Sequence, residues 1–187
     1  MSTVVTSKEK ILSASKRLVK EHGWAGVSIR SVAAACGISI GSVYTYYDSK
    51  TSLVSDTVES IWREIFHQSD DGEAFKDVQS CVIWMYDRMR RGSVAYPGFL
   101  TLHSAGFMHE AQPDGKFRMQ KTWLHIVDGF KTVIRHDPSV RPDAFTERFT
   151  VEQFANVLLS LMLSAMLRGD YDPAPVLEIV RRTLYAC

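Results

Sequence analysis

Apolar residues recur at three- and four-residue steps along most of the chain, the period of an α-helix with one buried face. In the first stretch Ile11, Leu12, Ala14, Leu18 and Val19 alternate with Lys and Glu, and Gly23 follows, which predicts an amphipathic helix from Ser7 to His22 with a glycine stop. Ser28 is placed to cap a second helix whose inward residues are Ile29, Val32, Ala33 and Cys36, closed by Gly37. Ser39 is the expected cap of a third helix ending near Tyr47. Ser49 caps a fourth that carries Leu53, Val54, Val58, Ile61, Trp62, Ile65 and Phe66 to about Gln68. Beyond it, Pro and Gly punctuate further helical segments over residues 75–91, Phe99–Gly106, 117–135, 144–168 and 174–186. No strand alternation and no internal repeat interrupts this pattern, so the expected fold is all-α: a small N-terminal unit joined through a long fourth helix to a larger helical bundle.

Composition narrows the class without naming a function. With 187 residues, 45% apolar and 23% charged, the chain sits near the average for globular proteins, which excludes disordered, collagen-like and membrane classes. A chain of this length buries roughly 70% of its unfolded surface, so the core needs no disulfide or structural metal. Cys36, Cys81 and Cys187 are odd in number and far apart, as reduced thiols in the cytosol would be. The first ten residues lack the apolar stretch of a secretory signal, and the longest apolar run, 154–167, is too short to cross a bilayer and contains Asn156, Ser160 and Ser164. No membrane partner is expected, and the cytoplasm is the expected compartment. The net charge of +1 conceals an asymmetry: residues 1–50 hold seven basic and three acidic residues, a local +4.

That basic third contains the segment with candidate chemistry. In Ser28 to Tyr47, SIRSVAAACGISIGSVYTYY, two short helices flank a tight turn at Cys36-Gly37-Ile38-Ser39. This is the sequence form of a helix-turn-helix: Val32, Ala33, Ile38, Val43 and Tyr47 pack together, and small residues at Gly41 and Ser42 allow a close approach to a DNA major groove. A helical hairpin without any ligand would carry much of the same pattern, and the local positive charge favours the DNA reader. Residues 37–41, GISIG, also match the G-x-S-x-G nucleophile elbow literally. An elbow needs a strand running into the serine, whereas SVAAAC reads as helix, so Ser39 is expected to be a helix cap and no catalytic residue is assigned. The histidines lack metal-ligand spacing, and neither a metal nor a cofactor is expected.

The motifs SKEKILSASKRLVKEHG, SIRSVA, ACGIS, GSVYTYY and DSK occur in the order and spacing seen in the DNA-binding domain of the TetR family of transcriptional repressors, which the first fifty-three residues resemble. The resemblance implies a helix-turn-helix domain over residues 1–53 and an effector-binding and dimerisation domain over 54–187. It implies a phosphate contact at Ser28, a base or backbone contact at Arg30, and base or phosphate contacts at Ile40, Gly41, Ser42, Tyr44 and Thr45. Tyr46 stands where many members have histidine, and Lys50 matches a lysine that meets a phosphate at the start of the fourth helix. Ile40 and Val43 offer no hydrogen bonds, so thymine-methyl contacts and DNA shape are expected to supply more of the specificity. Tyr47 is expected in the core and Tyr46 outside it, with Tyr44 open between the two.

The family resemblance further implies an effector cavity among the later helices, where sixteen of the twenty aromatics lie. Trp84, Phe99, His103, Phe107, Trp123 and Phe130 are the candidate lining for a small apolar or aromatic effector, although aromatics and methionines at such positions equally fill a plain core. FANVLLSLMLSAML is apolar around the whole helix, so it lies either wholly inside its own bundle or against a second protomer. With the stripe Val176, Leu177, Ile179, Val180 and Leu184, the resemblance implies a homodimer through helices near 144–168 and 174–186. The expected activity is that of a repressor which binds a pseudo-palindromic double-stranded operator as a dimer and is released by its effector. A ligand-independent or partner-controlled DNA-binding regulator stands as the alternative, followed by a helical ligand carrier or hydrolase.

Overall fold

The structure is a computed structural model, and it describes residues 6–66, 75–106 and 113–185, the side chains of 105–106 and 113–122 excepted. Among the described residues there are nine α-helices and no strand. These are α1 (Lys8–His22), α2 (Ile29–Cys36), α3 (Ile40–Tyr44), α4 (Lys50–Phe66), α5 (Val78–Ala95), α6 (Phe99–Gly106), α7 (Pro113–His136), α8 (Val151–Arg168) and α9 (Ala174–Leu184). A 3₁₀ turn, Trp24–Gly26, joins α1 to α2.

Local chemistry sets most of the helix ends. Ser7 caps α1 by accepting the Lys10 N–H at 3.3 Å. Ser28 and Ser31 cap α2 reciprocally, each side chain accepting the other's backbone N–H at 3.0 and 2.9 Å. At the far end of α2, Gly37 takes the left-handed conformation (φ 66°, ψ 30°). There Ile38 N–H donates to Ala33 O at 3.0 Å and Gly37 N–H to Ala34 O at 3.1 Å, the paired bonds of a Schellman close. Asp77 and Ser80 bracket the start of α5 in the same reciprocal way, at 2.7 and 3.2 Å.

Several helices differ from their expected bounds for identifiable reasons. The third ends at Tyr44, since Tyr46 and Tyr47 already belong to the turn that leads into α4. The fifth runs through Gly92 to Ala95, so this glycine does not break the helix. Its hydrogen lies against Ile65, where a β-carbon would come within 2.9 Å. The eighth begins at Val151 instead of near residue 144, because Thr150 and Gln153 form a capping box. Phe145 and Phe149 pack against Phe154 from the preceding loop, at 6.2 and 5.9 Å between ring centroids. Gln68, the expected end of the fourth helix, lies outside the described residues, which reach Phe66 on that side.

By packing, the chain divides into two compact units. One comprises Met1–His67 with Gly92–Phe99, the other Gln68–Arg91 with Leu100–Cys187. Residue 53, the functional boundary expected from the sequence, lies inside α4 and marks no break in packing. The core of the first unit is built from Ile11, Leu18, Val32, Val43, Leu53 and Ile61, with one polar pair inside it. There the Thr57 hydroxyl donates to Leu53 O at 2.7 Å, and the Ser15 hydroxyl reaches the same Thr57 oxygen at 2.9 Å. Tyr96 and Phe99 return to this core from far along the sequence. Phe99 meets Trp62 at 5.4 Å and Trp24 at 6.2 Å, and Lys20 Nζ stands 4.5 Å above the Tyr96 ring. The return is made by Pro97 and Gly98 (φ 75°), with Phe99 N–H donating to Tyr96 O at 3.1 Å, the arrangement of a type II turn.

In the second unit α7 packs along α8. The buried face of α8 is formed by Phe154, Ala155, Leu158, Leu159, Met162, Ala165 and Met166. Its other face is open: Asn156, Val157, Ser160 and Leu167 are exposed, so α8 is not enclosed within its own chain. Asp137, buried, accepts from Val78 N–H at 3.0 Å, the Tyr185 hydroxyl at 2.6 Å and Ser139 N–H at 2.9 Å. One carboxylate thereby ties the ends of α7 and α9 to the start of α5.

Candidate nucleic-acid interface

The hairpin α2–α3 presents its outer face through residues that the fold does not use internally. Ile40 is 43% exposed and Tyr44 50%, whereas Tyr47 is 1% exposed and belongs to the core. Burial pushes the Tyr47 phenol well above its ordinary pKa, and Lys8 Nζ stands 5.2 Å from the ring centroid. Tyr44, open in the sequence, is thus a surface residue. Tyr46 is also exposed, but its hydroxyl donates to Thr6 O at 2.8 Å, which fixes the ring against the chain leading into α1.

The small hydroxyls of the hairpin are turned back on their own backbone. Ser39 Oγ accepts from Ser42 N–H at 3.0 Å and lies 2.8 Å from Ser42 Oγ. The Thr45 hydroxyl donates to Gly41 O at 3.3 Å. Ser28 is half-buried with its oxygen in the α2 cap. Ser39, the serine of the literal elbow motif, is preceded by α2 and its glycine close, with no strand leading into it.

Gly41 has a different standing. A β-carbon there would meet only Ser39 Oγ, at an ordinary 3.7 Å, and the residue lies in an ordinary helical conformation. Glycine within a helix costs about 0.5–1 kcal/mol relative to alanine. Nothing inside the fold requires that cost, and the backbone at Gly41 is exposed.

Charge on this unit is less one-sided than residues 1–50 alone imply. Lys8 pairs with Asp56 at 2.7 Å, and Lys16 and Lys20 pair with Glu64 at 2.6 and 3.2 Å. Burial works to raise the Glu64 pKa, but hydrogen bonds from Lys16, Tyr96 and Lys20 and the charge of Lys16 outweigh it and hold the carboxyl at about 2. Over residues 1–66 there are eight basic and six acidic residues, a net +2. Arg30, on α2, and Lys50, the first residue of α4, are both exposed beyond these pairs. The two helices that flank α3 therefore each carry an outward cation. A separate cleft of about 230 Å³, lined by Lys10, Arg17 and Cys36 among others, opens on the same unit. Burial raises the Cys36 thiol pKa against the pull of Arg17, so the thiol is not an activated nucleophile.

The expected effector lining is distributed unevenly. Trp123 and Phe130 are buried on α7 and His103 is half-buried on α6, all in the second unit. Trp84, also there, is half-buried between Phe75, 5.4 Å away, and the Arg88 guanidinium, 5.6 Å from its ring. Phe99 belongs to the first unit, where its ring packs on Trp62 and Trp24. Phe107 lies outside the described residues. The packing of Phe99 on Trp62 and Trp24 is long-range, which no local pattern encodes.

Among the described residues no helix is long and apolar enough to cross a membrane, and no three His, Cys, Asp or Glu side chains are grouped to hold a metal ion. Cys81 is a buried free thiol, pushed by burial to about 12.

Residues 11–57 match the family model described as bacterial regulatory proteins, tetR family. The HTH-type transcriptional regulator YerO of Bacillus subtilis (strain 168) is 38% identical over 52 residues, which are 28% of this chain and 18% of that protein. The likeness to this relative thus spans less than a fifth of its length. Across nearly the whole chain the fold is shared with a transcriptional regulator from Rhodococcus sp. Rha1, at TM-score 0.69 and 17% identity, covering 97% of this chain and 100% of that one. It is also shared with the multidrug binding protein EbrR complexed with imidazole, at TM-score 0.64 and 18% identity over 96% and 90% of the two chains. The structure of BioQ with its natural double-stranded DNA operator is similar at TM-score 0.54 and 14% identity, covering 95% and 92%. Residues 11–57, about a quarter of the chain, thus carry a helix-turn-helix domain similar to that of the tetR family of bacterial regulatory proteins.

Proposed function

We propose that this protein is a cytoplasmic, homodimeric transcriptional repressor whose two α3 helices enter successive major grooves of a pseudo-palindromic operator. The observation that carries this is the outer face of α3, with Ile40 and Tyr44 exposed, Gly41 bare, and the cations Arg30 and Lys50 on the helices either side. The likeness to BioQ, whose structure holds operator DNA, supports it. Arg30 and Lys50 meet phosphates and set the register, while α3 meets base edges. Occupying the operator blocks polymerase.

The second unit binds a small apolar or aromatic effector among Trp84, His103, Trp123 and Phe130. EbrR, of the same fold, holds imidazole in its solved complex. The effector releases DNA by favouring a conformation in which the two α3 helices are wrongly spaced, with α4 as the lever. By linkage it weakens DNA binding only by as much as it prefers that conformation. Dimerisation uses the open face of α8 together with α9, where Ile179 is exposed beside the buried Val176 and Val180.

The test is fluorescence anisotropy of the full chain on labelled DNA from upstream of its own gene, against scrambled DNA, over a range of salt. Each phosphate neutralised contributes a slope of about −0.9 in log affinity against log salt. Tight binding to upstream DNA is expected, falling steeply with salt. Lys50→Ala is expected to weaken binding to all sequences alike and to reduce the slope by about one for each half-site. Weak, salt-insensitive binding to both DNAs would remove the DNA-reading role.

A further inference from the structure

The small hydroxyls around α3 are engaged internally, Ser39 with the Ser42 hydroxyl and N–H and Thr45 with Gly41 O, while the Tyr44 phenol is exposed at the far end of the helix. What projects outward at the start of the helix is an apolar side chain, Ile40, beside a residue with no side chain at all. The edges of the four base pairs in the major groove present hydrogen-bond donors and acceptors, and one apolar group, the 5-methyl of thymine. A branched aliphatic side chain next to an open notch is complementary to a methyl group and to nothing else on that edge. We propose that Ile40 and the notch at Gly41 together receive the 5-methyl group of one thymine in each half-site, so that sequence is read there by apolar contact. This rests on α3 being the DNA reader, and goes beyond it by assigning which chemical group on the DNA is recognised and by which residues.

Gly41 is then a specificity-determining residue. A methyl side chain added there fits the folded protein, with only the 3.7 Å approach to Ser39 Oγ, but fills the space the thymine methyl enters. Folding and binding are thereby separated at one position.

The test begins by letting the full chain select from a library of random duplexes. The enriched duplex is then resynthesised with deoxyuridine in place of each thymine in turn, which removes the methyl and keeps base pairing. For the unsubstituted protein, one thymine per half-site is expected at which this change weakens binding about three- to fivefold, the effect of losing one buried methyl. Ile40→Ala is expected to bind the enriched duplex more weakly and to be indifferent to deoxyuridine at that position. Gly41→Ala is expected to lose affinity while its melting temperature stays equal or rises. If the enriched duplex is bound tightly with steep salt dependence and no thymine is sensitive, or if Ile40→Ala keeps the sensitivity, methyl reading is overturned and the DNA-binding role stands. If no sequence is enriched and binding ignores salt, both fall together.

Discussion

Gly92 and Gly129 both lie inside helices, and their surroundings set opposite outcomes for the same substitution. A β-carbon at Gly92 would press on Ile65 Cδ1 and Cγ2 at 2.9 Å, between the branches of a buried side chain. Gly92→Ala is expected to destabilise by about 1–3 kcal/mol through overpacking, partly offset by better helix propensity. Around Gly129 nothing lies within 4 Å, so Gly129→Ala is expected to stabilise by about 0.5–1 kcal/mol. Urea unfolding of both variants checks the pair, and equal shifts of one sign would contradict the packing at Gly92. From sequence Gly92 looks like a helix breaker, because propensity is local while its contact with Ile65 joins residues far apart in the chain. Tyr47 and Tyr46 were separable in the sequence because alternation around a short helix places one inward and one outward. Tyr44 was not, since its exposure depends on what the end of α3 faces.

At the scale of elements, helix starts marked by a capping side chain were the most legible part of the chain. Ser7, Ser28, Ser39 and Ser49 each accept the backbone N–H three residues on, a bond whose partners are close in sequence. The start of α8 was not legible, because Ala144, Phe145 and Phe149 carry apolar positions upstream of Thr150, yet these aromatics pack from a loop. How elements are held together is carried by a few polar groups. Asp137→Ala would leave the buried Val78 N–H without its acceptor and is expected to cost about 1–3 kcal/mol, with Tyr185→Phe costing less because it keeps that bond. A urea midpoint for Asp137→Ala no lower than that of Tyr185→Phe would refute this. Between α1 and α4, Glu64 has its pKa lowered to about 2, below its ordinary value near 4.5. The ionised form is favoured by folding, so its contribution is fully present above about pH 4.5 and is lost as pH falls toward 2. Glu64 is 40% exposed, which limits the effect. Glu64→Gln is expected to flatten the melting temperature between pH 4.5 and 2 relative to the unsubstituted protein.

For the whole molecule, the open face of α8 makes an oligomer the expected state. Val157 and Leu167, exposed at 41% and 38%, flank Ser160, which is small enough for a helix of a second protomer to approach closely. Leu167→Glu combined with Val157→Glu is expected to halve the mass measured by light scattering while leaving the helical circular dichroism unchanged, since neither side chain is in the core. A mass that does not change would move the interface elsewhere. The all-α class and the division into a small head and a larger bundle were legible in periodicity and in the placement of proline. The membership of Gly92–Phe99 in the head was not, because it depends on Phe99 finding Trp24 and Trp62, 75 and 37 positions back along the chain. That membership bears on how such regulators diversify. A single genetic crossover after α4 would transplant the DNA-reading helices and leave Tyr96 and Phe99 behind with the old bundle, uncovering Trp62 in the recipient. Moving this unit intact therefore takes either two junctions, one after α4 and one after Phe99, or a recipient that already supplies an aromatic after the fifth helix.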